Sequence, residues 1–120
     1  MKALRILLDK NVPYPLKRHL SKFQVQTADE EGWGRMSNGD LIAQAEQARF
    51  DVVVTCDQNI RYQQNLKHHR LSMVVLGSNV WPTVLLKVSA ILEAVERSSP
   101  GSFEFVDIPV LPKRRRIERR

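Results

Sequence analysis

Three aspartates stand beside apolar segments of the sequence, where their carboxylates could do chemistry. Asp9 follows the run ALRILL at residues 3–8, and Asp57 comes shortly after the β-branched run VVVT at 52–55. Asp40 opens an amphipathic stretch. Crowded carboxylates repel one another and need a cation, and their hard oxygens favour Mg²⁺ or Mn²⁺ over zinc. A group of three without a dedicated nucleophile therefore predicts metal-assisted phosphodiester hydrolysis.

Each aspartate also has an ordinary structural interpretation. Ser37 to Asp40 spells S-x-x-D, so Asp40 could equally well cap its own helix. Asp9 and Asp57 could be turn formers, because aspartate is common in the turns that follow strands. Taken singly, each residue favours the structural role. Two acids at the ends of two buried strands together favour the metal site.

The elements that must position these residues alternate along the chain. Apolar and alternating runs predict strands at 3–8, 23–27, 52–55, 72–76 and 103–108. Helical patterns predict helices at about 13–21 and 38–49 and a last helix from about Pro82 to Ser98, and the polar segment 58–67 is expected to be a helical turn or short helix. This order predicts an α/β fold of three layers, a mostly parallel sheet with helices on both faces. Ligands of such sheets bind outside the carboxyl ends of the strands, where Asp9 and Asp57 are expected. The long loop before Asp40 is expected to bring it to the same edge, so that the three carboxylates converge there.

The chain resembles the small PIN-like proteins of the Mut7-C/DUF5615 type over roughly residues 4–97, in the segments ILLDKNVP, GWGRMSNGDLIAQA, FDVVVTCDQNIRYQQNL and MVVLGSNVWP. Members typically show D-E-N after the first strand, N-G-(E/D)-L at a helix start and T-x-D-x-N after the third strand. The matching motifs are Asp9-Lys10-Asn11, Asn38-Gly39-Asp40-Leu41 and Thr55-Cys56-Asp57-Gln58-Asn59.

The resemblance implies a PIN-like ribonuclease that uses Mg²⁺ or Mn²⁺ to cleave single-stranded RNA. It further implies the toxin half of a bacterial toxin–antitoxin pair, with an antitoxin protein covering the acidic edge and a homodimer as a further expectation. The catalytic and metal-binding residues carried over are Asp9, Asp40 and Asp57. The expected substrate contacts are Lys10, Asn11, Asn59, Gln64 and Asn65, with Asn11 and Asn59 alternatively orienting the aspartates.

Lys10 departs from the family pattern, because glutamate is expected at that position. A lysine beside Asp9 either weakens metal binding or grips a phosphate. In the first case the chain is an inactive PIN-like module that binds RNA or protein. A phospho-receiver-like signalling domain is another alternative, since Asp57 and Ser78 follow the third and fourth strands. A receiver, however, needs an acidic pair after the first strand and a helix after the fifth.

Length and composition favour one globular domain over residues 1–112, followed by a basic tail at 113–120. The chain has 120 residues, of which 42% are hydrophobic and 27% charged, as in ordinary globular domains. No apolar run reaches the roughly 18 residues that a membrane span needs, so no membrane association is expected. The single Cys56 cannot form an internal disulfide, and a reducing cytoplasm is expected.

The tail, KRRRIERR, holds six basic residues and one acidic residue, and thus +5 of the net charge of +6. We predict that it is weakly ordered on its own and adds non-specific affinity for RNA, with a merely solubilising tail as the alternative. Six phosphate contacts on a single strand give a log–log salt slope of about −4. Deletion of 113–120 is expected to flatten the salt dependence of RNA binding, and an unchanged slope would leave the tail a solubilising role only.

Overall fold

The computed structural model describes residues 4–59 and 70–109. The strands are β1 (Arg5–Leu8), β2 (Gln24–Thr27), β3 (Val52–Thr55), β4 (Ser72–Leu76) and β5 (Phe103–Val106). The described helices are α1 (Leu16–His19), α2 (Asn38–Gln47), α3 (Trp81–Leu85) and α4 (Val88–Arg97). The predicted helix at 58–67 lies outside the described residues beyond Asn59, and the basic tail lies wholly outside them.

One sheet holds the five described strands in the order β2-β1-β3-β4-β5, and every neighbouring pair is parallel. The chain moves from β1 to one side for β2, and then crosses to the other side of β1 for β3. The direction of winding therefore reverses at β1, and the carboxyl ends of β1 and β3 flank the crevice where such sheets bind ligands. The predicted α/β class and parallel sheet are confirmed.

Apolar side chains cover both faces of the sheet, which explains the unbroken hydrophobic runs of β3 and β4. Ile6, Val54 and Val74 face α1, α3 and α4, and all three are fully buried. Leu7 and Val53 face α2 on the opposite side. A strand buried on both faces reads as a continuous apolar run rather than an alternating one. The predicted layers of helices on both faces are therefore present.

The connection from β4 to β5 has the opposite hand to the β1–β2 and β2–β3 connections. The chain passes from β1 to β2 over one face through α1, and from β2 to β3 in the opposite direction over the other face through α2. These two connections share one hand. The β4–β5 connection runs in the direction of β2–β3 but on the face of α1, where His19 contacts Trp81 with ring centroids 5.6 Å apart. Since about 98% of such connections are right-handed, the β4–β5 connection is the unusual one.

The helices differ from their predicted extents. The predicted last helix is two helices, because the N–H groups of Leu86 and Lys87 bond to the carbonyls three residues earlier and the chain turns there. Helix α1 is also shorter than predicted, at four residues. Among the described residues, no helix has the length and apolarity that a bilayer crossing needs.

Arg5, the polar interruption in the first apolar run, is held at the amino end of β1. Its guanidinium lies 4.3 Å from the centre of the Phe50 ring, and its Nη1 donates to the Ala48 carbonyl. Its backbone N–H donates to Asp51 Oδ2 at 2.8 Å. These contacts tie the end of α2 to the start of the sheet, so the arginine has a structural explanation.

Arg49 ends α2 with a positive φ of 66°, in a turn where the N–H of Phe50 bonds to the Ala45 carbonyl. Glycine is the residue that adopts this conformation without strain. We expect Arg49→Gly to raise the free energy of unfolding by about 1 kcal/mol in urea titrations. Arg49→Ala keeps a Cβ and is the matched control, with no gain expected. Equal stability of the two variants would contradict the strain.

Candidate active site

Asp9 is a buried carboxylate at the carboxyl end of β1. Its backbone N–H donates to the Val54 carbonyl at 2.9 Å, so the ladder between β1 and β3 extends to this residue. The residue is 7% exposed. Its Oδ1 accepts the N–H of Lys10 at 2.7 Å, and its Oδ2 accepts the hydroxyl of Thr55 at 2.7 Å. Two hydrogen bonds therefore fix the direction of this carboxylate.

The hydroxyl of Thr55, at the end of β3, links the two strand-end aspartates. Thr55 is fully buried, and while it donates to Asp9 it also accepts the backbone N–H of Asp57 at 3.1 Å. Asn11 adds a second link between the loops after β1 and β3, because its Oδ1 accepts the N–H of Cys56 at 3.0 Å. These links tie the loop that carries Asp57 to the end of β1 beside Asp9.

Asp57 is half-buried and is oriented by a helix and by its own loop. Its Oδ2 accepts a hydrogen bond from Nδ2 of Asn38, the first residue of α2. Its Oδ1 accepts the backbone N–H of Asn59 at 3.0 Å. Asn59 therefore orients Asp57 through its backbone, while its side chain is exposed.

Asp40 occupies the first turn of α2 and is exposed to solvent. Its backbone N–H donates to Oγ of Ser37 at 3.2 Å, so Ser37 is the N-cap of α2. This hydrogen bond is the Ser37 half of the capping-box pattern. Asn38, two residues before Asp40, is the residue of α2 that contacts Asp57.

The contacts described above link two of the three predicted ligands, Asp9 and Asp57. Across residues 4–59 and 70–109, no three His, Cys, Asp or Glu side chains are grouped closely enough to hold a metal ion. Asp9 and Asp57 alone still suit Mg²⁺, which typically binds one or two carboxylates and keeps several waters. Each of their oxygens accepts a single hydrogen bond among those described above, and a carboxylate has about four lone-pair sites. The donor set therefore fits such an ion.

Cys56 lies between Thr55 and Asp57 but is not a nucleophile in this arrangement. Burial and the negative charge of Asp9 raise the pKa of its thiol to about 12. The sulfur lies 3.5 Å from the Ser78 carbonyl and packs against the core. The thiol stays protonated at neutral pH, so it behaves as a small apolar side chain.

A cleft of about 430 Å³ opens beside Asp9, on the side of β2. Its lining includes Asp9, Lys10, Tyr14 and Glu30. Glu30 is held in place by the N–H of Thr27 at 2.9 Å and by an ion pair with Lys17 at 2.7 Å. The hydrogen bond from Lys17 holds the pKa of Glu30 below its ordinary value. Lys10, by contrast, has an exposed side chain in the cleft.

Asn11 takes the orienting role among its two expected roles, and two further residues that orient the aspartates were not predicted. Asn11 orients the loops through its Oδ1, and Gln64 and Asn65 lie outside the described residues. Thr55 and Asn38 orient Asp9 and Asp57 but were not predicted as site residues. Both belong to the motifs T-x-D-x-N and N-G-D-L, which mark their positions but not the hydrogen bonds that they make.

Comparisons with known proteins do not identify a relative of the chain. No family model matches it. No curated protein matches it, and no solved structure matches it. The candidate site is therefore argued from its geometry.

We expect Thr55→Val to destabilise the chain, because valine has the same shape but leaves Asp9 Oδ2 without its buried hydroxyl donor. Loss of such a partner costs about 1–3 kcal/mol in the free energy of unfolding. Thr55→Ser keeps the hydroxyl and is the matched control. Urea unfolding of the three proteins measures the effect. A valine variant as stable as the serine variant would show that the hydroxyl is not needed to hold Asp9.

Proposed function

We propose that the chain is a Mg²⁺- or Mn²⁺-dependent ribonuclease that hydrolyses single-stranded RNA at the edge formed by Asp9 and Asp57. One observation carries the proposal: at the ends of adjacent parallel strands, the Thr55 hydroxyl donates to the Asp9 carboxylate and accepts the backbone N–H of Asp57. Sheets of this strand order bind ligands at that crevice. Carboxylates in such a position are the usual protein ligands of Mg²⁺ when the substrate carries phosphates.

Each residue of the site has a separate role in the proposed hydrolysis. Asp9 and Asp57 would hold the ion, whose chemistry is to lower the pKa of an attacking water and to neutralise charge on the leaving oxygen. The Oδ1 of Asn11 accepts the N–H of Cys56 in the loop after β3, which leaves its Nδ2 group to donate to a phosphate oxygen. Lys10, exposed in the cleft, supplies a positive charge for the same phosphate. Asp40 is a third candidate ligand, from the first turn of α2.

The proposal extends to the biological setting that the resemblance implies. The chain would be the toxin of a bacterial toxin–antitoxin pair acting in the cytoplasm, with homodimerisation as a further possibility. An antitoxin would inhibit it by covering the edge at Asp9 and Asp57. Expression of the wild-type chain alone would then arrest bacterial growth, and expression of Asp57→Asn would not.

A phospho-receiver-like domain is the second candidate, because the strand order β2-β1-β3-β4-β5 is shared by flavodoxin-like folds that include receivers. Two features disfavour it. Lys10 stands beside Asp9 where an acidic pair is needed, and the β4–β5 connection has the opposite hand to the β1–β2 and β2–β3 connections. Incubation with acetyl phosphate separates the candidates, since a receiver would be labelled at Asp57.

We expect Asp57→Asn to weaken Mn²⁺ binding by at least about ten-fold in calorimetry, because loss of a ligand costs more than loss of a residue that orients one. The same variant should abolish Mn²⁺-stimulated cleavage of single-stranded RNA while its circular dichroism stays that of the wild type. Lys10→Glu should bind Mn²⁺ more tightly, because it replaces a positive charge beside Asp9 with a negative one. Asp40→Asn reports whether Asp40 is a third ligand.

Asp107→Asn is the matched control for these measurements. Like Asp9, Asp107 directly follows a strand, but it is exposed and lies after β5 at the outer edge of the sheet. Its substitution should leave both Mn²⁺ affinity and cleavage at wild-type values. Equal Mn²⁺ binding by the wild type and Asp57→Asn would move the metal elsewhere and end the proposed mechanism.

A further inference from the structure

We propose that a groove beside the Asp9 edge binds one nucleotide of a single-stranded RNA, with the base stacked on Tyr14 and a phosphate held by Arg18. This inference rests on the proposed function in taking RNA as the substrate. It goes further by assigning a binding subsite, and two residues for it, outside the carboxylate edge.

The groove has a volume of about 370 Å³ and lies between α1 and the outer strand β2. Phe23 and Val25 form part of its apolar lining. Lys17 and Arg18 supply two positive charges, and no acidic side chain is among the described residues that line it. An apolar wall with cations at its rim suits a nucleotide, which has a flat base and an anionic phosphate.

Tyr14 connects this groove to the cleft at Asp9, because it lines both. The ion pair of Lys17 with Glu30 lies between the two, since Lys17 lines the groove and Glu30 lines the cleft. A strand whose scissile phosphate lies at Asp9 can therefore pass Tyr14 and enter the groove. The subsite is adjacent to the proposed chemistry but separate from its ligands.

The ring of Tyr14 is held but not covered. Its hydroxyl donates to Glu30 Oε2 at 3.3 Å, and Lys17 Nζ lies 5.9 Å from the ring centre. The residue is nevertheless 61% exposed. The two tryptophans are engaged in packing, since Trp33 contacts Phe50 and Trp81 contacts His19. Tyr14 is thus an aromatic ring that lines the cleft at Asp9 and is available for stacking.

Arg18 is the cation of the groove that has no described ion-pair partner. Lys17 is paired with Glu30, and nearby Lys22 is paired with Glu96. Arg18 is exposed, and no ion pair joins it to residues 4–59 or 70–109. Its guanidinium is therefore free to take a phosphate, which planar guanidinium groups bind through two hydrogen bonds.

An added peptide strand fits this edge less well than RNA. The outward N–H of Thr27 on β2 is already bonded to Glu30 Oε1 at 2.9 Å, and the Thr27 carbonyl accepts the N–H of Glu31 at 3.2 Å. A peptide pairing with β2 would lose these two ladder positions. The exposed aromatic ring and single cation remain usable by a nucleotide.

The test is fluorescence anisotropy of a labelled hexauridylate in EDTA, so that binding is measured without cleavage. Tyr14→Ala is expected to raise the Kd by about ten-fold, in line with the loss of one base stack. Tyr14→Phe keeps the ring and should bind as the wild type does. Phe105→Ala removes another exposed aromatic, on the outer strand β5, and should also leave the Kd unchanged.

Salt dependence provides the second measurement. Arg18→Gln is expected to reduce the magnitude of the log–log salt slope by about 0.7, the value for one phosphate contact on a single strand. Arg49→Gln is the matched control, because Arg49 is an exposed arginine outside the groove. It precedes β3, at the amino end of the central strand. Its slope should equal that of the wild type.

The outcomes separate this inference from the proposed chemistry. If Tyr14→Ala weakens binding and Arg18→Gln lowers the slope, the subsite stands, even where Asp57→Asn leaves Mn²⁺ binding unchanged. If both variants keep the affinity and slope of the wild type, or if the wild type does not bind hexauridylate, the subsite is overturned. These results would overturn the subsite even if Mn²⁺ binding depends on Asp57.

Discussion

The parallel pairing of β1 with β3 is the constraint on which the candidate site depends. Its register sets Leu8 beside Val54, which brings Asp9 and Thr55 to the same height at the carboxyl edge. The Thr55 hydroxyl then reaches Asp9, and the N–H of Asp57 reaches Thr55. A shift of one residue would turn every side chain of a strand to the opposite face and would separate these groups. Core packing and site geometry are therefore fixed together.

The two edges of the sheet hold different kinds of polar contact. At the amino edge, Arg5 is bound to the end of α2 and stacks on Phe50, and these contacts join elements of the fold to one another. At the carboxyl edge, Asp9 and Asp57 accept hydrogen bonds that fix the directions of their carboxylates. A buried carboxylate is costly unless it is hydrogen-bonded, so the donors around Asp9 are a condition of its position.

Much of the fold was predictable because strands buried on two faces leave continuous apolar runs, as β3 and β4 do. The positions of Asp9 and Asp57 follow from those runs. The break in the last helix was not predictable, because the apolar spacing continues across Leu86. The hydrogen bond from Thr55 to Asp9 was also not predictable, since threonine at the end of a β-branched run is explained by its strand propensity alone. Contacts between distant segments, such as Asn38 with Asp57, have no periodic signal.

The two aspartates differ in how firmly the backbone holds them. The N–H of Asp9 belongs to the ladder between β1 and β3, so its amide hydrogen exchanges with solvent only when that ladder opens. Asp57 lies beyond the ladder, and its position depends on the Thr55 hydroxyl, the Asn38 side-chain amide and the N–H of Asn59 in its own loop. Asp9 is therefore held more rigidly than Asp57. In the proposed metal site, Asp57 would follow small differences in ionic radius, so the same two carboxylates would accept divalent ions of unequal size.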